Sequence, residues 1–118
     1  MSPTADLDAC TQVAVEFATK LIRRQFAGAH LLLGAQAREE WPPSALREAY
    51  QELVDWAGPE PDRIEVSASR RDWPDREDDD LGWVYMLLHG GETEGVAVTV
   101  ARERDRTAIR DIEWGRIQ

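Results

Sequence analysis

The spacing of hydrophobic residues changes at Gly58-Pro59, and this change constrains the fold more than any other feature of the chain. Before it, apolar residues recur every three or four positions, as on one face of a helix. After it, they alternate with polar residues, as in a strand with one face in water. Because proline disfavours helical geometry in the residue before it, helices end at such a dipeptide. The sequence therefore predicts an α+β domain whose helices come first.

Three helices are expected in the first half. The first starts at Ser2-Pro3-Thr4, where a hydroxyl can cap the helix and proline is tolerated in the first turn. A second, short helix or a bend covers 29–33, between two glycines. The third starts at Ser44, after two prolines, and ends at Ala57. Cys10 lies on the apolar stripe of the first helix, which predicts a core side chain rather than a nucleophile.

Four strands are expected in the second half, and they cover 64–69, 83–88, 96–101 and 107–117. Short connections, including a turn at Gly90-Gly91, predict an antiparallel meander with the helices on one face. Ile109 and Ile112 are out of phase in the last strand. A β-bulge near Arg110-Asp111 would place both isoleucines in the core.

The strand over 83–88 is apolar on both faces. Trp83, Tyr85 and Leu87 alternate with a second apolar set, Val84, Met86 and Leu88. A strand that is apolar on both sides must be covered on both sides. We therefore expect a homodimer that forms through the sheet.

Length and charge limit the classes of function. The 118 residues, 42% of them hydrophobic, predict one domain over 1–118. A net charge of −9 repels phosphate backbones and anionic lipid headgroups, so we expect neither nucleic-acid nor membrane binding. One cysteine cannot form an intramolecular disulfide, and the N-terminus lacks the pattern of a signal peptide. These features predict a cytoplasmic protein.

The order of the predicted elements resembles the nuclear transport factor 2-like superfamily, a cystatin-like cone found in many small bacterial proteins. The resemblance covers nearly the whole chain and rests on the long first helix, the bend over 26–32, Ser44-Ala45-Leu46 before the third helix, and Ile112-Glu113-Trp114-Gly115 at the end of the sheet. It implies three N-terminal helices packed on a curved four-stranded antiparallel sheet, with a pocket between the two layers. Residues 34–43 depart from the pattern, because they are too short and proline-rich for the extra hairpin that the family often has.

The resemblance supplies four candidates to line that pocket: Tyr50, Tyr85, Asp111 and Trp114. Ketosteroid isomerase, a member of the family, needs a carboxylate base across an apolar pocket from two hydrogen-bond donors. The chain contains these residue types at no diagnostic spacing, so a small-molecule-binding protein or an isomerase-like enzyme is the alternative function. Tyr50 lies on an apolar stripe, where a core tyrosine is the simpler interpretation.

No cofactor is expected. His30 and His89 have no partner at the spacing of metal ligands. Gly90-Gly91 lacks the lysine and the strand-to-helix context of a phosphate-binding loop.

Acidic residues are concentrated between the first two strands. The segment 72–80, here called the acidic loop, contains six acidic residues and one arginine, and Arg70 and Arg71 precede it. A negative patch accelerates encounter with a basic surface, and a neighbouring tryptophan can anchor the complex. The predicted partner-binding residues are Trp73, Asp75, Glu77, Asp78, Asp79 and Asp80. The simpler interpretation is a loop that keeps the protein soluble and discourages pairing at the sheet edge.

These features also resemble bacterial immunity proteins, some of which use the same cone fold to block a secreted toxin. The resemblance implies a non-catalytic inhibitor of a basic protein partner, such as a toxin nuclease with a basic cleft. We therefore predict a binding protein rather than an enzyme.

Overall fold

In the part of the chain that the structure describes, four helices precede one open antiparallel sheet. The computed structural model describes residues 3–57, 60–90 and 93–115. Its helices are α1 (Pro3–Ile22), α2 (Phe26–His30), α3 (Ala35–Glu40) and α4 (Pro43–Ala57), and its strands are β1 (Arg63–Arg70), β2 (Asp80–His89), β3 (Glu94–Glu103) and β4 (Arg106–Trp114). The strands pair in sequence order, so the predicted α+β class and antiparallel meander are confirmed. Predictions made at Ser2, Gly58-Pro59, Gly91 and Ile117 lie outside the described residues.

The prediction of three helices is wrong by one, because α3 was not expected. The backbone N–H of Ala35, in the first turn of α3, donates to both carboxylate oxygens of Glu103, at 3.0 and 3.3 Å. Glu103 belongs to β3 and is far away in sequence. The contact that satisfies the start of this short helix is therefore tertiary, and no local sequence signal announces it.

The helices cover one face of the sheet. Val84, Met86 and Leu88 of β2 are fully buried on that face, beneath α1. Cys10 is also fully buried, which confirms it as a core side chain. The largest fully buried side chains of the core are Phe17, Leu21, Leu33, Leu46, Tyr50, Met86, Leu88 and Ile109. No helix within the described ranges is long and apolar enough to cross a bilayer.

The β-bulge predicted in the last strand is confirmed. Thr99 pairs with Asp111, whereas the next residue of β3, Val100, pairs with Ile109, so Arg110 is the extra residue of β4. Ile109 is fully buried as a result, and Ile112 is 5% exposed. The bulge thus keeps both isoleucines in the core, and it leaves Arg110 without a partner residue on β3.

The outer face of the sheet is partly covered by its own side chains. Trp83 and Tyr85 stack with ring centroids 6.0 Å apart and planes 11° apart. The indole N–H of Trp83 donates to Glu113 Oε2 at 3.0 Å. Together with Leu87, these rings are half-buried. The homodimer expected through this face stays a prediction.

We predict that Gly82→Ala lowers the free energy of unfolding by about 1–3 kcal/mol. The added methyl group would overpack the contact between β2 and α1 and force the two elements to shift. A Cβ at Gly82 would lie 2.9 Å from Cys10 Sγ and 3.1 Å from Cys10 Cβ, so α1 and β2 would have to separate. Urea unfolding measures the change.

Gly28→Ala in α2 is the matched control. The three atoms nearest to its new Cβ all belong to the flexible side chain of Lys20, and the first of them is Cδ at 3.1 Å. Because alanine favours helix over glycine, this variant should be unchanged or more stable by up to about 1 kcal/mol. Equal losses in the two variants would contradict the close approach of α1 to β2.

Candidate functional site

A buried ion pair anchors the acidic loop to the sheet. The side chain of Asp80, at the start of β2, has no solvent exposure. Its Oδ1 accepts a hydrogen bond from Arg110 Nε at 2.7 Å, and its Oδ2 accepts from Arg110 Nη2 at 2.8 Å. Oδ2 also accepts from the backbone N–H of Glu77 at 2.9 Å. Bidentate pairing of this kind fixes geometry as well as charge, so Asp80 holds the loop from within.

Arg110 binds the loop at a second point. Its Nη1 lies 2.7 Å from Glu77 Oε2. The hydrogen bond to Asp80 raises the pKa of the Arg110 guanidinium further, so the side chain stays charged. The backbone N–H of Arg102 also donates to the Asp79 carbonyl at 2.9 Å. β3 and β4 therefore both hold the end of the loop.

The six residues predicted to bind a partner differ in their exposure and in their pairing. Asp75, Asp78 and Asp79 are exposed, and none of them forms an ion pair with another described residue. Glu77 is exposed but paired with Arg110, and Trp73 is half-buried. Only Asp80 is buried. Three unpaired carboxylates therefore face solvent from an anchored loop.

The four residues predicted to line an internal pocket lie on both sides of the sheet. Tyr50 is buried in α4, and Trp114 packs against the same core. Tyr85 and Asp111 lie on the outer face, because they alternate with Met86 and Ile112, whose side chains point into the core. The structure does not bring the four together. In the ranges that the structure describes, no group of His, Cys, Asp and Glu side chains is arranged to hold a metal ion.

Tyr50 carries a buried hydroxyl without a hydrogen-bond partner among the described residues. Its ring packs against Phe26, with centroids 6.0 Å apart, and the Arg24 guanidinium carbon lies 5.7 Å from the ring centroid. Burial raises the pKa of Tyr50, the negative charge of Glu60 adds to this, and Arg24 opposes it. The phenol is therefore a neutral core group at physiological pH.

A groove of about 610 Å³ opens between α4 and the edge of the sheet where β3 starts and β4 ends. We call it the α4 groove. Trp41 and Trp114 form part of its wall, with ring centroids 5.7 Å apart and planes inclined by 57°. Glu48, Glu52 and Glu94 also line it. It is an apolar surface with three acidic side chains around it.

Sequence reasoning missed the groove and the role of Arg110. Glu48 and Glu52 are four residues apart, beside Ala45 and Ala49, which is a local signal for one shared helix face. Arg110 gives no such signal, because its partner Asp80 is distant in sequence.

The chain matches no protein-family model, and neither a curated protein nor a solved structure matches it significantly. The resemblance drawn from the order of the elements therefore stays a prediction.

We predict that Asp80→Asn lowers the free energy of unfolding by about 1–3 kcal/mol, because the amide nitrogen that replaces one carboxylate oxygen cannot accept the hydrogen bonds that Arg110 and Glu77 donate. Asp79→Asn changes the net charge equally at an exposed, unpaired neighbour. It should shift stability by no more than about 0.5 kcal/mol. Urea unfolding of both variants measures the difference, and similar small effects would show that the Asp80–Arg110 pair does not hold the loop.

Tyr50→Phe should leave the free energy of unfolding unchanged or raise it by up to about 1 kcal/mol, because the hydroxyl it removes is buried and unpaired. Above pH 10.0, the ordinary pKa of tyrosine, the unfolded chain loses this proton before the folded one does. The wild type should therefore lose stability faster than the variant as the pH rises beyond that value. Urea unfolding at neutral and alkaline pH checks both results, and a clear loss of stability in the variant at neutral pH would contradict them.

Proposed function

We propose that the chain is a non-catalytic binding protein that blocks a basic protein partner, such as a secreted toxin, with its acidic loop. The observation that carries this proposal is the Asp80–Arg110 pair. It uses one carboxylate to fix the loop and leaves Asp75, Asp78 and Asp79 exposed. An anchored loop loses less conformational entropy on binding than a free one does.

The exposed carboxylates supply the recognition chemistry. The whole chain has a net charge of −9, and the acidic loop concentrates six acidic side chains in nine residues. A field of this kind steers a basic surface towards the loop and raises the association rate. Trp73, half-buried in the same loop, is the candidate anchor on contact.

The anchoring of the loop favours recognition of a partner over a role in solubility alone. A loop that only keeps a protein soluble needs charge but no fixed shape. Here Arg110 contacts both Asp80 and Glu77, and the backbone of β3 contacts Asp79. The fixed position of the loop therefore favours a partner surface of complementary shape.

We also propose that the fold is the cone of the nuclear transport factor 2-like superfamily. Support comes from helices that precede an antiparallel meander in sequence order and cover one of its faces. The alternative of an isomerase-like enzyme needs a carboxylate inside the apolar layer. Asp111 is exposed on the outer face, across the sheet from Tyr50, so the geometry favours the binding function.

The test measures binding of purified basic nuclease toxins to the Asp75→Asn/Asp78→Asn/Asp79→Asn variant. For a toxin that binds the wild type, the association rate constant should fall by about tenfold or more, because electrostatic steering is lost. The difference should shrink as added salt screens the charges. Asp80 is left unchanged so that the loop keeps its anchor.

Glu48→Gln/Glu52→Gln/Glu94→Gln is the matched control, because it removes the same charge at the α4 groove. Its association rate should stay close to that of the wild type. Failure of every basic toxin to bind the wild type, or equal losses in the two triple variants, would contradict the proposal.

A further inference from the structure

The α4 groove combines aromatic walls with acidic side chains. Trp41 and Trp114 meet at an angle of 57°, so their rings form two sides of a corner rather than a flat surface. A tryptophan face attracts cations more strongly than any other aromatic side chain does. We propose that this groove binds a small organic cation, a function beyond the acidic loop and its protein partner.

The glutamates of the groove lack cationic partners. Glu48 and Glu52 lie four residues apart on α4, and like charges at this spacing destabilise a helix. Glu94 adds a third negative charge from β3. In the described ranges, none of the three forms an ion pair. A bound cation would offset their mutual repulsion, and this charge complementarity selects a cation over a neutral or anionic ligand.

The size of the groove suits a small molecule. Its volume of about 610 Å³ lies within the range of about 300–1,000 Å³ found for small-molecule sites. Leu53 and the two tryptophans give it apolar surface that can hold the body of the ligand. The expected ligand is thus an ammonium or guanidinium group that carries apolar substituents, such as methyl groups.

The groove is separate from the acidic loop. Trp114 pairs with Val96 near the start of β3, whereas Asp80 pairs with Ala101 near the end of that strand. The two regions therefore lie at opposite ends of the sheet. Occupation of one does not require the other, and each can be tested without disturbing its counterpart.

Choline and 3,3-dimethylbutan-1-ol, its neutral analogue of the same shape, form a matched pair of probes. Titration of the whole chain is followed by the NMR signals of the tryptophan indole N–H groups. Choline should bind saturably and shift the signals of Trp41 and Trp114. The neutral analogue should bind at least about tenfold more weakly than choline, because it lacks the charge that the rings and glutamates attract.

Two double variants complete the test. Glu48→Gln/Glu52→Gln should weaken choline binding by about tenfold, since it removes two charges beside the aromatic corner. Asp78→Asn/Asp79→Asn removes equal charge at the opposite end and should leave choline affinity unchanged. Thermal unfolding confirms that both variants are folded.

Several results would overturn the assignment. Equal affinity for the two probes would show that charge is not recognised, and equal losses in the two double variants would show that only net charge matters. Absence of saturable choline binding would also overturn it. Binding of an oligolysine peptide in the absence of choline binding would show that the groove takes a basic protein segment rather than a small cation. None of these results bears on toxin binding by the acidic loop, so the two proposals fail separately.

Discussion

The contact between Arg110 and Asp80 joins the sheet to the acidic loop. It is made by the same residue that forms the β-bulge of β4. The β-bulge at Arg110 keeps Ile109 and Ile112 in the core, and the same bulge places the guanidinium against the buried carboxylate. Removing the charge of Arg110 would leave the carboxylate of Asp80 buried without its partner. The packing of the last strand and the position of the loop are therefore linked through one side chain.

Much of the fold could be predicted from hydrophobic spacing alone. The stripes of α1 and α4 and the alternation in the strands gave the correct class and order, because each element buries one face. Even the bulge was visible, since Ile109 and Ile112 cannot share a face in a regular strand. Helix α3 was not predictable, because the carboxylate that binds its first turn belongs to Glu103 in β3. Such tertiary contacts leave no trace in a local pattern.

The candidate sites were predictable only in part, for the same reason. The acidic loop was visible as a run of charge, but the sequence could not distinguish Asp80 from Asp79. One is buried against a distant arginine, and the other faces solvent. The separation of Tyr85 and Asp111 from Tyr50 follows from strand alternation once the buried face is known. The α4 groove depends on three elements that meet only in the folded chain.

The two proposals assign different physics to the two acidic surfaces, although both surfaces add to the same net charge. Carboxylates of the acidic loop lie in water, where salt screens them beyond about 8 Å at physiological ionic strength, so they act mainly on the rate of encounter. Glutamates of the α4 groove line the same surface as Trp41 and Trp114, whose rings attract a cation only when it is in contact with them. Added salt should therefore affect the loop more than the groove. The two proposals thus give negative charge two roles, to attract a protein from a distance and to hold a small cation in contact.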